Sequence, residues 1–86
     1  MSVYDPLRLK LETVEGPNVR LSFTELEGIL GKPLPGSAYR FTAWWGNNRN
    51  VGHVQARAWL GAGFEARTVS LKHRTVEFHR IGRKTS

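Results

Sequence analysis

The chain has 86 residues, 40% of them hydrophobic, and a formal net charge of +6. That length suits a single domain with a small core, and 23% charged residues do not suggest disorder. The absence of cysteine excludes disulfides, thiolate nucleophiles and zinc–thiolate sites, and no apolar run approaches the ~18 residues of a spanning helix.

In chain order, "YDPLRLKLETVEG" opens with Asp5 as the expected N-cap and Pro6 at the first helical position. Leu7, Leu11 and Val14 then share a helical face, and Gly16 is a stop. Leu7, Leu9 and Leu11 also alternate, so a strand competes; the Asp-Pro start favours the helix. "NVRLS" follows as a short strand. In "SFTELEGILG", Ser22 and Glu25 have capping-box spacing, Phe23, Leu26 and Leu30 form a stripe, and Gly31 with Pro33 ends the helix at residues 23–30. Pro35 is expected to start a short helix through Arg40, with Trp44 and Trp45 at or past its end.

The next expected helix spans 51–62, capped by Asn50 and closed by Gly61 and Gly63, with Val54 and Ala58 on its apolar face. "EARTVSL" and "TVEFHRI" alternate as strands joined by Lys72, His73 and Arg74. The predicted fold class is therefore α+β: helix, strand, helix, linker, helix and a β-hairpin. This is the order of a small winged helix-turn-helix domain, here with a long connection before the last helix. Residues 1–81 form the expected domain and 82–86 a mobile basic tail.

Several blocks carry a family resemblance: Phe23 to Ala38 ("FTELEGILGKPLPGSA"), Trp44 to Asn47 ("WWGN"), Ala56 to Phe64 ("ARAWLGAGF") and Phe78 to Arg80 ("FHR"). Together they resemble a family of short prokaryotic and phage-encoded domains. The resemblance covers nearly the whole chain and implies a self-contained fold. It implies no activity, and no functional residue is carried over from it.

Charge is unevenly divided. Residues 1–31 hold three basic and five acidic side chains, and residues 32–86 hold ten basic and two acidic. A basic half attracts polyanions by Coulomb attraction and counterion release, and nucleic acid is the common target. In the helix at 51–62, His53 and Arg57 share one face, with Asn48, Arg49 and Asn50 leading into it. In the major groove arginine can pair with guanine, and asparagine or glutamine with adenine, which adds Gln55. Gln55 projects nearer the apolar face, however, where a bond within the fold is the alternative. Lys72, His73 and Arg74 at the turn, the wing of such a fold, would supply backbone or minor-groove contacts. Arg40 on the linker and Arg83 and Lys84 in the tail are added to the set, and Arg80 follows the turn as a further cation.

The two tryptophans would divide the work. One would pack against Trp59 or Phe41, and the other, with Trp45 the candidate, would lie near the surface and stack on a base. The Asn-Asn-Arg-Asn run would then form the solvent or DNA side of that anchor.

The expected function is non-catalytic, sequence-preferring binding of double-stranded DNA by a monomer or weak homodimer in the cytoplasm or on the nucleoid. A protein-interaction module using Trp45, Tyr39 and Phe41 is the alternative. No cofactor or membrane role is expected. His53, His73 and His79 lack a metal-binding spacing, and no nucleophile–base signature accompanies them; His73 and His79 meeting across the hairpin is the arrangement to check.

Overall fold

A computed structural model describes residues 2–47 and 54–81. In order these form α1 (Asp5–Glu12), β1 (Asn18–Ser22), α2 (Phe23–Leu30), α3 (Gly36–Arg40), a 3-10 turn (Thr42–Trp45), α4 (Val54–Gly61), β2 (Phe64–Ser70) and β3 (Thr75–Arg80). This is an α+β fold.

Local chemistry fixes α2 at both ends. Ser22 Oγ accepts from Glu25 N at 3.0 Å, and Glu25 Oε1 accepts from Ser22 N at 2.8 Å, completing the expected capping box. Gly31 closes the helix with φ 76°, a left-handed conformation that an L side chain resists. In α1 the cap falls one residue earlier than expected, on Tyr4, and Asp5 already lies in the first turn. Asp5 instead accepts from Ser2 N at 3.3 Å. Thr13 caps the C-terminal end of α1, short of Gly16.

The expected long linker is partly helical. Proline at 35 supplies extended backbone before α3, and the 3-10 turn follows at once. Asn50, the expected cap of the last helix, lies outside the described residues; α4 is described from Val54.

All three strands are antiparallel, in the order β1-β3-β2. Val19 and Leu21 of β1 face Phe78 and Val76 of β3, and β2 brings Ala66 and Val69 to the same two positions. These side chains make the inner face of the sheet. Between Ala66 and Val69 the register shifts, so Arg67 and Thr68 together oppose Glu77.

The helices lie over the inner face. Leu7 and Leu11 of α1, Phe23 and Leu26 of α2, Ala56 and Trp59 of α4, and Phe64, Val76 and Phe78 of the sheet are buried together. Four aromatic rings cross this core in series. Phe23 stacks on Trp45 at 4.9 Å, Trp45 on Trp59 at 5.9 Å, and Trp59 tilts against Phe78 at 5.3 Å. Each buried ring contributes on the order of 2–3 kcal/mol of transfer free energy, a large share for so small a domain.

Candidate nucleic-acid interface

Asn47 organises the surroundings of the tryptophans. Its Oδ1 accepts from Ala66 N at 2.7 Å and from Trp59 Nε1 at 2.9 Å, while its Nδ2 donates to Ala66 O at 2.7 Å. One side chain thereby pairs with both backbone groups of an edge-strand residue, as a neighbouring strand would, and satisfies a buried indole. Asn47 had been assigned to the polar, outward run. Asn47 is exposed, yet its amide caps buried groups, a role the sequence does not signal because the partners lie 12 and 19 residues away.

The tryptophan assignment is corrected. Trp45 is only 2% exposed, held between Phe23 and Trp59, and its indole donates to Ala38 O at 3.0 Å. It can neither stack on a base nor anchor a protein-binding patch. Trp44 is half-buried, with its ring edge-on to Trp45 at 4.7 Å. Of the proposed aromatic patch, Phe41 is exposed and Tyr39 half-buried.

Gln55 is also corrected. It is 5% exposed, and its Nε2 donates to Trp44 O at 2.9 Å, tying α4 to the 3-10 turn. It cannot reach a base edge. Val54, Arg57 and Gly61 form the open face of α4, at i, i+3 and i+7. Arg57 borders a groove of about 250 Å³ shared with Ser2, Asp5, Arg8, Val54 and Ala58. Asn48, Arg49, Asn50, His53, Arg83 and Lys84 lie outside the described residues.

The hairpin turn is fixed from two sides. Ser70 Oγ accepts from His73 N at 3.1 Å and lies 3.2 Å from His73 Nδ1. Because that hydroxyl already accepts the backbone N–H, its own proton can go to Nδ1, which leaves Nε2–H of neutral His73 as an outward donor. Arg74 takes the left-handed conformation, φ 57°, and its carbonyl accepts from Phe23 N at 2.8 Å. Its guanidinium lies 5.3 Å from the Tyr39 ring centroid. Tyr39 OH donates to Glu27 Oε2 at 2.6 Å, and the same oxygen accepts from Leu34 N at 2.9 Å. The Tyr39 hydroxyl, then Leu34 N–H, hold the Glu27 carboxyl below its ordinary range, and the bond to Glu27 raises the Tyr39 phenol. The turn thus sits on α2 and α3, whereas Arg57 borders a groove shared with α1.

His73 and His79 do not meet. His73 precedes β3, and His79 lies near its far end, with Nε2 3.0 Å from Glu77 Oε1. Arg80, which follows the turn, is bound back into the fold. Its Nη2 donates to Val14 O at 2.6 Å and Gly16 O at 3.1 Å, and its guanidinium covers Phe64 at 4.6 Å.

Electrostatically, the acids are largely spent within the fold. Glu12 pairs with Arg8 at 2.9 Å, Glu65 with Arg67 at 3.1 Å and Glu77 with Arg20 at 3.3 Å. Glu25 and Glu27 accept the bonds described above, and Asp5 accepts from Ser2. Among the described residues, Lys10, Lys32, Arg40, Arg57, Lys72 and Arg74 form no ion pair with a carboxylate. The surplus positive charge therefore lies on exposed side chains. No described helix is long and apolar enough to cross a membrane.

The chain belongs to the family described as "Domain of unknown function (DUF7662)", matched over residues 4–82. No curated protein and no solved structure matches it.

Proposed function

We propose that this family member is a non-catalytic double-stranded DNA-binding domain of winged-helix type, in which the β2–β3 hairpin is the wing and α4 the reading helix. The observation that carries the reading is the hairpin turn. Its cations Lys72 and Arg74 form no ion pair with a carboxylate among the described residues, although Arg74 adds to the Tyr39 and Leu34 bonds that depress the Glu27 carboxyl. The turn is held on α2 and α3 through Arg74, Tyr39 and Glu27. Cations ordered in advance lose little freedom on meeting a polyanion.

Topology supports the same reading. The hairpin follows the last helix, and β1 pairs with β3 at the side away from β2. After α4, only Ala62 and Gly63 precede β2, and Gly63 at φ 89° allows the sharp reversal. α4 packs on β2, the first strand of the hairpin. Arg57 is the described base-reading candidate; Lys72, His73, Arg74 and Arg40 are backbone contacts. Arg49, Asn50 and His53 precede α4 in sequence and extend the proposed set.

The test is binding to random and selected duplexes. Arg57→Ala is expected to weaken binding and relax sequence preference, and Lys72→Ala to weaken every sequence alike. Wild type and both variants binding equally would reject the assignment.

A further inference from the structure

The outer face of the sheet, away from the helices, holds a concave groove of about 510 Å³ lined by Arg20, Thr68, Ser70, His73, Thr75 and Glu77. Five of these six are hydrogen-bond donors. The sixth, Glu77, accepts from Arg20 Nη2 at 3.3 Å and lies 3.0 Å from His79 Nε2. Sheet geometry explains the assembly. Arg20 faces Glu77 across β1–β3, Ser70 faces Thr75 across β2–β3, and the bulge places Thr68 beside Glu77. The groove therefore offers donor groups from all three strands and from the turn, beside the acceptor oxygens of its hydroxyls and of Glu77.

We propose that this groove is a seat for a tetrahedral phosphate oxyanion, filled in function by a phosphodiester of the DNA backbone as the duplex passes the hairpin turn. The assignment rests on the DNA-binding reading for the source of the phosphate, and on the groove alone for its chemistry. Arg20 supplies the charge. Its side chain is 70% exposed, and its pair with Glu77 is long and solvated, so the guanidinium can turn to an incoming anion at little cost. Hydroxyls of Thr68 and Thr75 and the Nε2–H of His73 supply further donors, while the Ser70 proton is directed to His73 Nδ1. Glu77 opposes the anion, and Arg20 and His79 offset it.

The experiment is an NMR titration of the isotope-labelled full chain with a short duplex and, separately, with inorganic phosphate, joined to duplex affinities of three variants. Duplex should shift the resonances of Arg20, Thr68, Ser70, His73 and Thr75. Arg20→Gln should lose about 10-fold in affinity, the worth of one charge-assisted hydrogen bond. Lys10→Gln, which removes equal charge from α1, should change affinity far less, and Glu77→Gln should bind more tightly. Duplex binding that shifts Arg57 and Lys72 but leaves the groove silent would overturn the seat and leave the DNA reading standing. No duplex binding, with phosphate shifting the groove in wild type and not in Arg20→Gln, would keep the seat and overturn its DNA source. Silence of the groove toward both ligands would overturn the proposal.

Discussion

Asn47 closes three gaps with one side chain, satisfying the Trp59 indole and both backbone groups of Ala66 at the open edge of β2. Replacing it with alanine leaves buried donors and an acceptor unpaired. Asn47→Ala is expected to cost about 2–3 kcal/mol, read as a fall in Tm of about 10–15 °C by calorimetry. Asn47→Asp keeps both acceptor contacts but sets a carboxylate against Ala66 O, so it should also destabilise. An unchanged Tm in either variant would show that the clamp contributes nothing. Trp59, fully buried, should cost about 3–5 kcal/mol on truncation to alanine.

This residue also marks what the sequence could not disclose. Asparagine beside other polar residues looks solvated by composition, and the angle of Gln55, nearer the apolar face of its helix, left a bond within the fold open beside a base contact. Both find partners that only the folded chain supplies: Ala66 for Asn47, which stays exposed, and the Trp44 carbonyl for Gln55, which is buried. Trp45 was misassigned for the same reason, since neighbouring tryptophans differ only in which one meets Phe23 and Trp59.

At the scale of elements, local signals were legible. Ser22, Glu25 and Gly31 delimit α2 through contacts within four residues, so spacing alone defined Phe23–Leu30. Ser22→Ala should therefore cost about 1 kcal/mol in denaturant melts, and no loss would contradict the cap. The 3-10 turn was illegible, because it depends on Trp45 finding Ala38 and the core rather than on a capping residue.

The platform under the hairpin makes a pH prediction. The Tyr39 hydroxyl, then Leu34 N–H, depress the Glu27 carboxyl, so its stabilising contribution is complete above the ordinary value of 4.5 and is lost as pH falls through the lower folded value. Tyr39→Phe removes the larger of these causes. The variant should show a shallower loss of stability on acidification, measured by melts across the acid range. An identical acid limb would show that the bond to Tyr39 does not hold the carboxyl.

Across the whole molecule, among the described residues, the acids other than Glu15 bond neighbouring basic or backbone groups, while several cations remain exposed. That arrangement does little for stability, since separated positive charges repel, and it suits a polyanionic partner. The charge imbalance between the two parts of the chain was visible in composition. The arrangement was not, because Arg80 counts as a cation in the sequence yet serves as a staple to Val14 and Gly16 in the fold.

The most direct measurement is duplex DNA affinity, by fluorescence anisotropy, at two salt concentrations. With about four phosphates engaged, affinity should fall about 100-fold between roughly 50 and 200 mM monovalent salt. Affinity that stays flat across that range, or no binding even at the lower concentration, would contradict a surface built for nucleic acid.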